Sequence, residues 1–366
     1  MGMIIDDILS YYFLIYQCML CVKPNTMIVK HEKKGGIDVY YVKKNITDAG
    51  MDKYKHQFVT PSLIDIIIND DADVYTDDNR LLMKFRKDKL SKEKIDTFYE
   101  NMIDFARTTS TNRRLTSGVR TKKHSNSDKK EKDIAAMTNI VGYFDSLGPS
   151  QKMLLKKHGV KLNPAVRETR FNMLYPDKFK KLIPLIREID SYYEKNVPDH
   201  YKRQHRKAKQ TYFKIADTAF TTVTTNVNYK TTIHTDRGDD AEGFGNLVVI
   251  ERGKYTGGET CFPQYGIGVN VRTGDVLFMD VHEWHGNLPI HLENKDAVRL
   301  SIVCYLRHRL WEKTRGKSKK FMKKHIATYR RLHDLTNKPS SSKGGGQDLA
   351  GAGGGEFIAG DSRMHY

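Results

Sequence analysis

Three side chains in two distant segments of the sequence can together bind a metal ion. His234 and Asp236 stand two residues apart in "TTIHTDRGD", directly after a Thr-rich, β-like stretch. Residues at i and i+2 of an extended strand point to the same side, so both side chains can face one ion. With one further histidine they make a two-His, one-carboxylate set, which leaves coordination positions open and suits non-haem Fe(II) and its O₂ chemistry.

The second histidine comes from the segment "DVHEWHGN" or its neighbourhood. His285 is the preferred ligand, because it stands where the strand ends and is followed by Gly286, where backbone can approach closely. His282 has the opposite strand parity, and His291 is a weaker alternative. A His-x-Asp pair by itself is weak evidence, since a lone His or Asp is usually a loop or capping residue.

A cationic anchor strengthens the metal hypothesis. Arg299 begins the strand-like segment "RLSIVCYL", and Ser301 shares its face two positions later. The guanidinium is a fixed fork that matches a carboxylate, and the hydroxyl can add a hydrogen bond. We therefore expect Arg299 to bind the distal carboxylate of 2-oxoglutarate while the keto-acid end of that molecule chelates the iron.

The elements that position these residues are short strands between residues 213 and 305. Alternating segments such as "NLVVIER", "DVLFMDV" and "RLSIVCYL" follow one another with Gly-rich turns between them. Many short strands without intervening helices indicate an antiparallel sandwich or barrel. Upstream helices are expected to pack outside it.

Two helices are predicted upstream and one downstream. Apolar residues recur at helical spacing in 91–107 and again in 176–196, where Pro184 predicts a kink or a break. Residues 122–133 contain no apolar side chain and should form an exposed loop. Between 305 and 340, twelve Lys or Arg stand against two acids, so we expect a strongly basic helix there.

Composition narrows the class of protein. The 366 residues carry a net charge of +18, which favours a polyanionic partner such as nucleic acid over a merely Lys-rich surface. Four cysteines, Cys18, Cys21, Cys261 and Cys304, are too few for a disulfide scaffold and predict an intracellular, reducing compartment. The apolar run 8–22 is too short and too Tyr-rich to span a membrane, and no export signal is expected.

The segments "HTDRGD", "GGETCFPQYGIGVNVRTGDVLFMDVHEWHGN" and "RLSIVCYLRHRLW" resemble the Fe(II)- and 2-oxoglutarate-dependent dioxygenases. They are most similar to the TET and J-binding-protein branch, which oxidises the methyl group of thymine or 5-methylcytosine in DNA. The resemblance extends over about 140–335. It is weaker over 90–120, where "TNRRLTSG" is similar to a piece of that branch.

The resemblance implies an α+β fold built on a double-stranded β-helix, a jelly-roll or cupin-like barrel with packed α-helices. It implies Fe(II) ligation by His234, Asp236 and His285, co-substrate contacts from Arg299 and Ser301, and a polar active-site role for Asn226. The expected cofactors are Fe(II), 2-oxoglutarate and O₂. The expected organisation is an accessory region at 1–90, a dioxygenase domain at 91–335 with a basic C-terminal helix, and a flexible Gly-rich tail at 336–366.

The function that follows is hydroxylation of the 5-methyl group of a pyrimidine in nucleic acid, with DNA expected rather than RNA. Two alternatives stay open: a prolyl- or lysyl-type protein hydroxylase, and a non-catalytic barrel that binds nucleic acid. No membrane partner is expected, and the nucleus or cytoplasm, with a viral source as one option, is the expected location. Residues 1–90 are either an accessory subdomain or an edge of the main sheet, and Trp284 either stacks on a flipped base or packs in the core.

Overall fold

The computed structural model describes residues 27–110, residue 116 and residues 136–337. Several predictions fall outside these residues. They concern the apolar run 8–22 with Cys18 and Cys21, the loop 122–133, most of "TNRRLTSG", and the Gly-rich tail beyond residue 337.

Two sheets carry the described part of the fold. A ten-stranded mixed sheet has the order β1-β2-β4-β5-β13-β9-β16-β8-β6-β7, and a four-stranded sheet has the order β14-β11-β12-β3. A small separate ladder joins β10 and β15. The strands are β1 (Ile28–Lys34), β2 (Ile37–Val42), β3 (Ile66–Ile68), β4 (Ala72–Thr76), β5 (Leu81–Arg86), β6 (Thr138–Phe144), β7 (Arg167–Glu168), β8 (Thr222–Val227), β9 (Gly245–Arg252), β10 (Tyr255–Gly257), β11 (Thr260–Phe262), β12 (Ile267–Val269), β13 (Val276–Met279), β14 (Gly286–Asn287), β15 (Ile290–Leu292) and β16 (Val298–Tyr305).

The chain winds between the two sheets in the manner of a double-stranded β-helix. After β8 in the large sheet it crosses to the small one at His234, which bridges to His285, and returns for β9. It then supplies β11 and β12 to the small sheet, β13 to the large, β14 to the small and β16 to the large. The predicted α+β class and double-stranded β-helix are confirmed.

Strand alternation separates the two faces of the large sheet. On β16, Leu300 and Ile302 pack under helices in one buried cluster, whereas Val303 packs into the cluster between the sheets. Successive side chains of a strand point to opposite faces, so Arg299 and Ser301 share the inward face with Val303. The barrel interior therefore receives the polar side chains of β16.

Helices cover the outer face of the large sheet. The helices are α1 (Asp48–Met51), α2 (Lys92–Ala106), α3 (Pro149–Lys157), α4 (Arg170–Leu174), α5 (Pro176–Asn196), α6 (Pro198–Ala208), α7 (His308–Thr314) and α8 (Lys319–Asn337). The predicted apolar stripes are buried, for example Phe98 on α2 and Ile186 on α5. Helix α5 runs through Pro184 without a break, because Pro184 is exposed and the carbonyl that it leaves unpaired can bind water.

The basic C-terminal segment forms two helices rather than one. Gly316 adopts a left-handed φ of 72° between α7 and α8, which ends the first helix. On α8, Tyr329 and His325 are buried, and His325 Nε2 lies 2.8 Å from the carbonyl oxygen of Val166. The lysines of α8 remain on its exposed side.

The described N-terminal strands extend both sheets, which is the second of the two alternatives for this region. β5 pairs antiparallel with β13, and β3 pairs parallel with β12. β4 and β2 then continue the large sheet outward. Across 27–110 and 136–337, no helix combines the length and apolar character needed to cross a membrane.

Candidate metal centre

His234, Asp236 and His285 converge at one end of the barrel. Their ligand atoms all lie within 4.8 Å of one another. His234 Nε2 is 3.8 Å from Asp236 Oδ1, and His285 Nε2 is 3.7 Å from Asp236 Oδ2. In the described part of the chain, this is the one group of three such side chains close enough to share an ion.

The backbone sets this convergence. His234 and His285 form an isolated antiparallel bridge, and the N–H of Asp236 donates to the carbonyl of Val281 at 2.9 Å. The strand predicted to carry the His-x-Asp pair is thus reduced to single bridges at Thr232 and His234. His234 and Asp236 nevertheless face the same point, as the sequence predicts.

Both imidazoles are oriented by a carbonyl oxygen. His234 Nδ1 lies 2.7 Å from the carbonyl oxygen of Thr232, and His285 Nδ1 lies 2.9 Å from that of Glu283. A carbonyl oxygen only accepts, so each Nδ1 carries the proton and each Nε2 is left as the electron-pair donor. Burial disfavours a charged His285, but the adjacent Asp236 outweighs it and raises the pKa of His285 above its usual value.

The alternative histidines lie elsewhere. His282 sits in the turn before β14, where its Nε2 is 3.4 Å from the carbonyl oxygen of Asp240. His291 is exposed on β15 opposite Thr256. Neither joins the cluster, so the structure brings together the His285 set.

Arg299 is a buried cation inside the barrel. It is 4% exposed, and its Nε is buried without a hydrogen-bond partner. Burial lowers the pKa of Arg299, and the neighbouring Tyr255 partly opposes this. Gly258 has a φ of +80°, and a Cβ there would lie 2.8 Å from Arg299 Nε, so glycine leaves the guanidinium its space.

Asn226 and Ser301 lie opposite each other on β8 and β16. The Asn226 amide donates to the Ser301 hydroxyl at 3.2 Å. Because Ser301 and Arg299 share the inward face of β16, all three predicted co-substrate residues line one side of the barrel interior.

The residues present fit iron and 2-oxoglutarate. Two imidazole nitrogens and a carboxylate on three separate points of the backbone are the donor set of mononuclear non-haem iron sites. A buried guanidinium with an unsatisfied nitrogen is costly unless an anion arrives, and a dicarboxylate supplies one.

Arg80, which sequence reasoning missed, braces the turn that carries His285. Its guanidinium contacts Asp280 at 2.6 Å and also pairs with Glu283. Lys44 lies 3.3 Å from the other oxygen of Glu283. The carbonyl of Glu283 in turn accepts a hydrogen bond from His285 Nδ1. Arg80, in the turn between β4 and β5, therefore helps to orient the proposed metal ligand His285 through Glu283.

A buried ion pair supports the loop that follows Asp236. Arg307 Nε donates to Asp145 Oδ1 at 3.0 Å, and both side chains are buried. A Cβ at Gly238 would lie 2.8 Å from Arg307 Nη1, and the N–H of His308 donates to the Gly238 carbonyl at 3.1 Å. The end of β16 thus packs closely on this loop.

Trp284 packs in a core. It is 8% exposed and belongs to the buried cluster of Met51, Ile233 and Cys261 behind the small sheet. Of the two alternatives for Trp284, stacking on a flipped base or packing in the core, the structure shows core packing.

Comparison with known proteins agrees with this site. Residues 151–308 match the Tet_JBP family, described as the oxygenase domain of the 2OGFeDO superfamily. A bifunctional helicase and thymine dioxygenase JBP2 of Trypanosoma cruzi is 35% identical over 175 residues, which are 47% of this chain and 15% of the relative. A thymine dioxygenase JBP1 of Trypanosoma brucei brucei is 30% identical over 181 residues, 49% of this chain and 20% of the relative.

A solved structure of NgTET1 in complex with 5mC DNA superposes with a TM-score of 0.44 and 15% identity, covering 71% of this chain and 89% of that one. The matched segments span about a fifth or less of the length of the two curated relatives. The family recognised from the sequence is confirmed for residues 151–308, which match the Tet_JBP oxygenase domain.

Proposed function

We propose that this chain, an oxygenase of the Tet_JBP family over residues 151–308, hydroxylates the 5-methyl group of a pyrimidine in DNA, either thymine or 5-methylcytosine. The observation that carries the proposal is the convergence of His234, Asp236 and His285 within 4.8 Å in the same barrel as the buried Arg299, whose Nε has no hydrogen-bond partner. The overall reaction balances as methyl group plus 2-oxoglutarate plus O₂ giving hydroxymethyl group plus succinate plus CO₂.

The protein's own residues hold and orient the reactants. His234, Asp236 and His285 would hold Fe(II), which together with 2-oxoglutarate supplies the oxidising chemistry when bound. Arg299 would bind the distal carboxylate of 2-oxoglutarate through charge-assisted hydrogen bonds. Ser301, held by the Asn226 amide, offers a hydroxyl beside it.

A DNA substrate is supported by the names of the relatives and by charge. Both curated relatives described above are thymine dioxygenases. The chain carries a net charge of +18, and Lys319, Lys320, Lys323 and Lys324 lie exposed on α8. Since the reactive end lies between two sheets, the target nucleotide must leave the duplex stack, at a cost of about a few kcal/mol that phosphate contacts can offset.

One assay tests the proposal. The protein is incubated with Fe(II), 2-oxoglutarate and DNA containing thymine or 5-methylcytosine, and the DNA is digested to nucleosides for mass spectrometry. The addition of one oxygen to one nucleoside, with matching succinate, is the expected result. Succinate formation with Pro- or Lys-rich peptides and with no DNA would instead support the protein-hydroxylase alternative, and its absence with every substrate would support a non-catalytic barrel.

A further inference from the structure

A small pocket lies beside the metal centre. It is lined by Lys55, His56, Thr116, His234, Thr235, Arg237 and Trp284. None of these seven residues is acidic, and four of them besides His234 carry side-chain nitrogen donors, namely Lys55, His56, Arg237 and Trp284. The free space inside the pocket is only water-sized and its accessible lining is mostly apolar, so an anion attracted by these donors would lie at the mouth of the pocket.

His56 is held in an unusual conformation at this pocket. Its φ is +64°, a left-handed value that is uncommon for non-glycine residues, although His adopts it more readily than most. Its backbone N–H donates to the carbonyl of Ile233 at 3.0 Å, next to the ligand His234. Its Nδ1 is buried without a hydrogen-bond partner, so the ring has a donor or acceptor that nothing in the described chain satisfies.

Lys55 and Arg237 bring positive charge to the same place. Lys55 is half-buried beside His56, and Arg237 is exposed directly after the ligand Asp236. Neither forms an ion pair within the residues that the structure describes, whereas Arg80, Arg272 and Arg307 all do. Their charge therefore remains available to a ligand.

We propose that Lys55, His56 and Arg237 bind a backbone phosphate of the substrate strand next to the reacting nucleotide. This inference rests on the proposed function. The pocket shares His234 with the metal centre but is built from the segment 55–58 that bridges to Thr232, on the side of the small sheet. Arg299 lies on the large sheet, so the anion bound here is distinct from 2-oxoglutarate.

A phosphodiester fits the three groups better than a carboxylate metabolite does. Its two free oxygens can accept from the Lys55 ammonium and the Arg237 guanidinium, and from His56 when Nδ1 carries the proton. A phosphate held at the edge of the metal centre would fix the distance between the DNA backbone and the iron. The flipped base would then reach the open coordination positions from a defined starting point.

The test uses the full chain without iron or 2-oxoglutarate, so that binding is measured apart from catalysis. Fluorescence anisotropy follows a labelled single-stranded thymine oligonucleotide at several salt concentrations. We expect Lys55→Gln and Arg237→Gln each to weaken binding roughly fivefold and to reduce the slope of log Kd against log salt by about 0.7. Lys53→Gln is the matched control, because Lys53 is exposed in the same segment and outside the pocket.

His56→Asn completes the test, since asparagine tolerates a left-handed backbone. With the loaded enzyme it should raise the KM for DNA and leave the KM for 2-oxoglutarate unchanged. If the pocket variants bind the oligonucleotide with the affinity and salt slope of Lys53→Gln, the phosphate site is wrong. If they weaken binding as expected while the wild type oxidises no base, the phosphate site stands and the proposed oxidation fails. A rise in the KM for 2-oxoglutarate alone would assign the pocket to the co-substrate and overturn the proposal.

Discussion

His234 and His285 hold each other in place through their backbones: the N–H of each donates to the carbonyl of the other at 2.9 Å. These hydrogen bonds do not involve the imidazoles, which are oriented separately by the carbonyls of Thr232 and Glu283. The positions of the two proposed ligands are therefore set before any metal binds.

Replacing a ligand side chain should remove metal binding without unfolding the protein. For His285→Ala we expect Fe(II) affinity to fall by more than the roughly 10- to 100-fold typical of changes around a metal site. Equilibrium dialysis under anaerobic conditions measures the affinity, and thermal unfolding without metal checks the fold. His282→Ala is the control and should bind Fe(II) like the wild type. If His282→Ala loses Fe(II) binding and His285→Ala keeps it, the metal ligand is His282 and not His285.

Arg299→Met should affect the free and the bound protein in opposite directions. The buried guanidinium has an unsatisfied nitrogen, and an apolar side chain of similar length avoids that desolvation cost, so the Tm without ligands should not fall. The loss of a charge-assisted pair should weaken 2-oxoglutarate binding by about 2 kcal/mol or more. The measurement is the rise in Tm on adding 2-oxoglutarate, which the wild type should show and the variant should lack.

Arg80→Ala should weaken the metal centre from outside it. Without the guanidinium, the turn that carries Asp280 and Glu283 loses its brace, and His285 is less well oriented. We expect Fe(II) affinity to fall about 10-fold, within the range for residues that orient ligands. Lys87→Ala removes an ion pair with Asp70 at the opposite end of β5 and should leave the affinity unchanged. Arg80→Lys should restore part of the loss.

Asp190 predicts how stability depends on pH. Asp190 is buried on α5, and this burial raises its pKa to about 6. The N–H of Ala219 and the hydroxyl of Tyr201 donate to the carboxylate and partly oppose the rise. The folded state then binds the proton more tightly than the unfolded one, so stability should fall as pH rises from about 4 to about 6. Urea unfolding should show this decline, of about 2–3 kcal/mol. Asp190→Asn should flatten it, and an unchanged profile would assign the decline to other groups.

The barrel and the metal centre could be predicted because their signals are local. Strands such as β9, β13 and β16 carry short alternating runs between Gly-rich turns, and the two histidine segments stand beside them. Strand alternation correctly favoured His285 over His282, although His282 lies in a turn and not in a strand. The prediction of a single basic helix between 305 and 340 was wrong because it did not take account of the break at Gly316, which separates α7 from α8.

The brace from Arg80 could not be predicted in the same way. It joins residues 200 positions apart, and nothing in the sequence near Arg80 points to Asp280. The same holds for the contact of Arg307 with Asp145, which depends on how β16 meets β6 through the intervening strand β8. Such pairs follow from the closed arrangement of sheets and not from any short motif.

The pairing of β5 with β13 and of β3 with β12 bears on how this protein can be shortened. Removing residues 27–86 would remove the strands that flank one edge of each sheet. The backbone N–H and C=O groups along that edge of β13 and β12 would then be exposed without hydrogen-bond partners. Exposed sheet edges pair with strands of other molecules, so the truncated oxygenase should aggregate. The N-terminal strands thus cover the edges of β12 and β13 and prevent intermolecular strand pairing there.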